Sequence, residues 1–243
     1  MKLAPLSRET LISLPTLFTP RIFKLWRCFL LFFAVEVVAL EFYNCPRKLH
    51  ERLRFLTVWG YLMNLAAQSA LFIATSTNPQ LPAKEWVSPA WKAALLLYEL
   101  AFSMQFPITI VYWVAIFPSD QEIDSPFQHF RNLQVHLCLL VFYLCDFFMS
   151  GVYFNKAHAK WVAALTLAYL AFNMACTFLD RPVYPVINWR DRLSFVFGGV
   201  AVTLCVSAFK VFSAVSNRRF KALSFRLKAL HKEAALLAKQ HVA

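Results

Sequence analysis

The sequence predicts an all-α polytopic membrane protein, a six-transmembrane-helix bundle that ends in a basic amphipathic helix. Of its 243 residues, 59% are hydrophobic and only 16% are charged, whereas a soluble domain carries about 25% charged and about 45–50% apolar residues. The mean hydropathy is +0.52. Six apolar stretches, each roughly 19–27 residues long, match a bilayer core ~30 Å thick. They leave no room for a separate soluble domain.

The composition divides the chain into three parts. Residues 1–22 contain three prolines, which prevent a long helix and indicate a short segment at the membrane interface. Residues 23–215 hold the six-span bundle, and Pro107 is expected to kink its third span. Residues 216–243 form the basic tail. The predicted spans are, in order, Phe23–Tyr43, Phe55–Ser76, Trp91–Phe117, Asn132–Phe154, Trp161–Leu179 and Leu193–Val215.

The distribution of basic residues predicts the topology. An even number of spans places both termini on one side, and 17 of the 25 lysines and arginines lie on that side against 8 on the other. The positive-inside rule then puts both termini in the cytosol, or in the matrix for a mitochondrial protein. The expected location is therefore the endoplasmic reticulum or the mitochondrial inner membrane. Glu9 is the only acid in the first 35 residues, which favours the mitochondrial alternative.

Cysteine and histidine spacing gives no sign of a metal or cofactor site. Five of the six cysteines lie inside apolar stretches, Cys45 being the exception, and cysteine there behaves as a small hydrophobic residue. The chain has no CxxC pair and no paired histidines within its spans. Its basic residues lie on tails and loops, so a nucleic-acid partner is not expected, whereas membrane lipids are.

Thr57 and His136 are the first candidates for chemistry. Each begins a span shortly after an arginine, and at ~1.5 Å per residue both lie roughly 5–8 Å into the bilayer from the face opposite the termini. A hydroxyl and an imidazole at one depth are the minimum of a nucleophile and its base. The structural alternative is that Thr57 bonds the carbonyl four residues back and that His136 is an ordinary satisfied polar group.

A second polar layer is expected deeper in the bundle. Glu36, Glu99 and Asp146 are all predicted to lie roughly 10–14 Å from the terminal face, with Lys210 near enough to pair with one of them. Acids inside a membrane are functional candidates. The layer has three readings: a hydrogen-bonded contact between helices, a set of groups that orient a substrate, or a proton path.

The tail carries its own pattern. Its apolar residues repeat in steps of three and four, like the seam of a coiled coil, and basic residues surround them. Two interpretations remain open: a helix lying on anionic lipid headgroups, or a docking helix for a partner protein. The apolar positions are Phe220, Leu223, Leu227, Leu230, Ala234 and Leu237.

Four segments together resemble one known family. In order along the chain they are Phe55-Leu56-Thr57, Phe106-Pro107 followed by Val111-Tyr112-Trp113-Val114, Asn132 with His136 and Asp146, and Val183-Tyr184-Pro185. Each is short, but their order and spacing over roughly residues 50–215 resemble the androgen-induced family of multi-span membrane proteins. Members of that family are described as threonine hydrolases that act on fatty acid esters of hydroxy fatty acids.

The resemblance implies roles for the matched positions. Thr57 would be the nucleophile and His136 the general base that takes its proton. Asn132, one turn before His136, would donate to the oxyanion or position the substrate, and Asp146 and Tyr184 would also position it. Asp146 stands where the family places a glutamate.

The leading hypothesis is thus a membrane lipid esterase with a Thr57/His136 dyad. The alternative is a non-catalytic accessory subunit of a larger membrane complex, with the mitochondrial inner membrane as one location for it and the tail at 216–243 as its contact to partner proteins. A proton-coupled transporter that uses the intramembrane acids is a third hypothesis. The sequence shows no inverted repeat to support it.

Overall fold

A computed structural model describes residues 20–44, 49–77, 89–117, 126–150, 152–180, 182–184 and 187–240. Residues 1–19 of the predicted interfacial segment and the loops at 78–88 and 118–125 lie outside this part. Within it, five helical stretches are long and apolar enough to cross a membrane, which confirms the all-α polytopic fold. They are Leu56–Ala74, Pro89–Val114, Pro126–Met149, Lys156–Leu179 and Arg192–Arg219.

The sixth helix of the bundle, α1 (Pro20–Asn44), carries five charged residues. Its 25 residues are about 37 Å long, enough to span a bilayer. Arg27 pairs with a carboxylate of the fourth span, Glu36 accepts from Gln134, and Glu41 pairs with Arg131. Because unpaired charges inside a membrane are expensive, these partners allow α1 to pack in the bundle.

The other helices follow the predicted order with shifted ends. After a single turn, α2, the chain forms α3 and α4, and α4 contains Pro107 without ending there. The fourth span begins at Pro126, six residues before the predicted start, and ends at Met149. The bounds are α2 Leu49–Arg52, α3 Leu56–Thr77, α4 Pro89–Val111, α5 Pro126–Leu133, α6 Leu139–Met149, α7 Ala159–Leu179 and α8 Arg192–Gln240.

Two π-helical segments interrupt the helices on the face opposite the termini. The first, Tyr112–Ile116, continues α4, and the second, Gln134–Cys138, joins α5 to α6. A π segment holds an extra residue in its turn, is rare, and occurs frequently at functional sites.

The basic tail is not a separate helix. Helix α8 runs for 49 residues without a break, or about 73 Å, so no boundary exists at residue 216. A helix lying in the headgroup plane would need a bend near that position. The reason for the continuity is that the segment around 216 is itself held by the bundle: Ser216 Oγ accepts from Phe154 N–H, and Asn217 accepts from the Tyr153 hydroxyl.

An aromatic core joins α4, α6, α8 and the α6–α7 connection. Phe102, Phe147 and Phe154 are fully buried and meet edge to face or stacked. Because lipid tails are as apolar as these rings, close van der Waals packing and not hydrophobic burial holds such helices together. Helices α3 and α4 also lie close together at Gly60, where a Cβ would overlap the Ile108 side chain.

Arg219 caps the end of α6. Its guanidinium donates to the carbonyls of Phe147 at 2.7 Å and Ser150 at 2.7 Å and lies over the Phe147 ring. The last carbonyls of a helix have no partner within the helix, so this cation satisfies them. The contact fixes α8 to α6 at the terminal face.

Replacing Arg219 with alanine should therefore lower the thermal stability of the purified protein. A hydrogen bond from a charged group contributes about 1.5–3 kcal/mol, and a loss of about 2 kcal/mol lowers the Tm of a chain this size by about 4–8 °C. The neighbouring Arg218 is exposed, so Arg218→Ala is the matched control. Equal Tm losses in the two variants would contradict the capping role.

Candidate functional site

A cavity opens between α3, α4, α7 and α8 at the face opposite the termini. Its empty space is about 520 Å³ when the open solvent at its mouth is included. None of the described residues that line it is charged. They are Leu56, Thr57, Pro107, Ile108, Val111, Tyr112, Ile116, Tyr169, Leu170, Asn173, Tyr184, Ile187, Phe197, Gly198 and Ala201.

Thr57 lies in the first turn of α3 and lines this cavity. Among the described residues its hydroxyl forms no hydrogen bond. The carbonyl four residues back, that of Leu53, instead accepts from the Trp59 indole at 2.7 Å. The structural alternative for Thr57, a bond to its own helix backbone, is therefore not formed.

Tyr184 lines the same cavity as Thr57 and contacts the two residues before it. Its hydroxyl accepts from the Leu56 N–H at 2.9 Å, and its ring meets the Phe55 ring edge to face at 5.7 Å. Burial raises the pKa of Tyr184. The phenol thus remains protonated at neutral pH and can act as a hydrogen-bond donor.

A chain of hydrogen bonds that the sequence did not reveal supports the wall of the cavity. Trp189 Nε1 donates to Asn173 at 2.7 Å, Asn173 donates to the Tyr169 hydroxyl at 3.2 Å, and Tyr169 donates to the Arg54 carbonyl at 2.9 Å. Trp189 has a φ of 57°, a conformation that costs energy for a bulky residue. The contacts of its ring and backbone hold it there.

His136 lies in the second π segment, beside the cavity and not in its lining. Its ring stacks on Tyr112, the first residue of the other π segment, with centroids 3.4 Å apart and planes 3° apart. Tyr112 itself lines the cavity. The buried Nδ1 of His136 has no hydrogen-bond partner within the described part of the chain. Tyr112 thus contacts both the cavity and His136, and no hydrogen bond joins Thr57 to His136 among the described residues.

The structure does not bring the other two predicted positions to the cavity. Asn132 lies in α5, one turn before His136, and is half-buried outside the lining. Asp146 is fully buried and accepts from Arg27 at 2.8 Å and Trp26 at 3.0 Å. Its partner Arg27 is 14 residues before Glu41 on α1, about 21 Å along the helix axis. Glu41 pairs with Arg131 at the face opposite the termini, so Asp146 belongs to the terminal half of the bundle.

The predicted layer of three acids is wrong as a single layer. Glu99 accepts from the His158 ring and from the Asn155 N–H, both at 2.5 Å, at the start of α7. Asp146 contacts Arg27 directly, whereas Glu36 lies nine residues further along α1, about 13 Å deeper. Lys210 is exposed. Asp146 lies closer to the terminal face than the sequence predicts. The reason is that the fourth span ends at Met149 and not at Phe154, since residues 152–154 are not helical.

Comparison with protein-family models, with curated proteins and with solved structures finds no match to this chain. The resemblance to the androgen-induced family therefore depends on the four segments alone and stays a hypothesis.

The Arg27–Asp146 pair should be required for folding and not for chemistry at Thr57. Removing one member of a buried ion pair costs about 3–5 kcal/mol, whereas replacing both members with apolar residues is nearly neutral. Asp146→Ala should thus lower the Tm strongly. Combining Arg27→Met with Asp146→Leu should restore it, as measured by thermal unfolding in detergent. No recovery in the double variant would indicate a role beyond the pair.

The stack of Tyr112 on His136 should be visible in solution. An aromatic ring in face contact shifts the signals of its neighbour, so Tyr112→Leu should move the His136 resonances of ¹⁵N-histidine-labelled protein in detergent. Tyr112→Phe keeps the ring and should leave them nearly in place. His158, which contacts Glu99 at the other end of the bundle, is the internal control. Unchanged His136 signals in Tyr112→Leu would refute the stack.

Proposed function

We propose that this protein is a membrane-embedded lipid esterase that uses Thr57 as its nucleophile and acts on fatty acyl esters of the hydroxy-fatty-acid ester type. One observation carries the proposal. The Thr57 hydroxyl, without a hydrogen-bond partner in the described part of the chain, lines an apolar cavity, and Tyr112 of the same lining stacks on the half-buried His136. An apolar cavity with a few polar groups suits an acyl chain that ends in an ester.

The reaction proceeds in two steps. The Thr57 oxygen attacks the ester carbonyl carbon, its proton passes to His136, and the bond to the alcohol oxygen breaks as that oxygen takes the proton from His136. Water then hydrolyses the acyl–Thr57 ester with His136 acting as base again. Tyr184, held by the Leu56 N–H, is the lining donor that stabilises the negative charge developing on the carbonyl oxygen.

The Tyr112 ring determines when His136 can act. In this structure the ring lies flat against His136 and also forms part of the cavity lining. Rotation of Tyr112 away from the stack brings the imidazole to the cavity. We assign this movement to substrate entry, because an acyl chain in the cavity competes for the space that Tyr112 occupies.

Hydrolysis by purified protein in detergent or vesicles tests the proposal. Thr57→Ala should lower kcat at least about 100-fold, since the nucleophile is lost, whereas Thr57→Ser should retain much of it. His136→Ala should show a comparable loss. Thr203 is exposed on α8 and bonds the Gly199 carbonyl, so Thr203→Ala is the control. Wild-type rates in folded Thr57→Ala would refute the proposed function.

We place the protein in the endoplasmic reticulum or the mitochondrial inner membrane, with its termini on the cytosolic or matrix side. The support is the charge distribution of the sequence, in which 17 of the 25 lysines and arginines lie on the side of the termini. The positive-inside rule favours the cytosol or the matrix for that side.

A second candidate function is that of an accessory subunit in a larger membrane complex. The observation in its favour is that α8 continues unbroken to Gln240, which leaves its last turns available to a partner protein. Chain truncated after residue 219 should then migrate as a smaller species than full-length protein when native membranes are solubilised in mild detergent. Identical migration of both forms would exclude this role for the tail.

A further inference from the structure

Arg54 lies at the mouth of the cavity, three residues before Thr57. Its backbone carbonyl accepts from Tyr169, a residue of the cavity lining. Its guanidinium donates to the Cys176 carbonyl at 3.3 Å. Cys176 is three residues beyond Asn173 on α7, or about 4.5 Å along the helix axis. The guanidinium is therefore fixed about one helical turn from the cavity lining, toward the membrane surface.

The Arg54 guanidinium already holds a carboxylate. It donates to Asp180 Oδ2 at 2.6 Å, and the two partners differ in their exposure to solvent. The Arg54 side chain is 12% exposed, whereas that of Asp180 is 63% exposed. A buried guanidinium requires an anionic partner, but an exposed aspartate contributes little to such a pair. Asp180 can thus be exchanged for another carboxylate at small cost.

The cavity lining excludes charge, and this determines where an ionised ligand group can lie. All fifteen described lining residues are uncharged. Burial of an ionised carboxylate without a partner is strongly unfavourable in such surroundings. A lipid with one apolar chain in the cavity must keep its carboxylate outside. Arg54 is the cation fixed at that position.

We infer that Arg54 binds the free carboxylate of the substrate. In the unliganded protein the Asp180 carboxylate occupies the position of that substrate carboxylate. The ligand class is an ionised fatty acid, or a fatty acyl ester that carries a free carboxylate, and its apolar chain lies in the cavity beside Thr57. This inference rests on the proposed function where it places the ester at Thr57, but the carboxylate site itself is testable without catalysis.

The experiment compares two probes that differ only in charge. Binding of oleate and of methyl oleate to purified protein in detergent is measured by thermophoresis, with both ligands below their critical micelle concentrations. Arg54→Gln should weaken oleate binding about tenfold or more and change methyl oleate binding less than about twofold. Asp180→Asn removes the competing carboxylate and should tighten oleate binding several-fold, with methyl oleate unchanged. Arg190→Gln alters an exposed arginine on the same face and is the charge control.

Each outcome decides the inference. Equal effects of Arg54→Gln on both probes, or a loss of oleate binding in Arg190→Gln as large as in Arg54→Gln, would overturn it. If Arg54→Gln does not fold, Asp180→Asn decides alone: tighter oleate binding supports the site, and unchanged or weaker binding refutes it. Loss of ester hydrolysis in every assay together with Arg54-dependent oleate binding would reject the esterase and keep the carboxylate site.

Discussion

The hydrogen bonds that attach the head of α3 to α7 and the following loop are the constraint on which the site depends. Tyr169 holds the Arg54 carbonyl, and Tyr184 takes the Leu56 N–H. The Leu56 N–H lies at the start of α3, where backbone N–H groups have no helical partner. The Arg54 carbonyl lies in the turn just before the helix, near the membrane, where water is scarce. Side chains from elsewhere in the chain must satisfy them, and by doing so they fix the direction in which Thr57 points.

The same requirement explains why the cavity forms between α3 and α7. The Tyr169 hydroxyl accepts from Asn173, which in turn accepts from Trp189, and Trp189 makes this bond with a φ of 57°. Its ring also lies against Gly198 of α8, where a Cβ would come within 3.1 Å of it. The wall of the cavity is thus a consequence of satisfying two backbone groups at the start of one helix.

Much of the fold was predictable because hydropathy and helix length follow directly from the bilayer. The order of the spans and the position of Pro107 within its helix agree with the sequence reasoning. The ends of the fourth span and the partners of Asp146 were not predictable. They depend on which polar groups meet across the bundle, and residue counting along one helix contains no information about its neighbours. The support of Arg54 by Tyr169 was missed for the same reason.

The π segments explain why spacing along the fourth span was a poor guide to its faces. Sequence patterns assume 3.6 residues per turn, but the segment Gln134–Cys138 holds an extra residue in its turn. Every side chain after the segment is therefore rotated relative to those before it. His136 turns toward Tyr112, whereas Asp146, ten residues on, turns toward Arg27. Two residues that the resemblance assigned to one site therefore belong to opposite ends of the bundle.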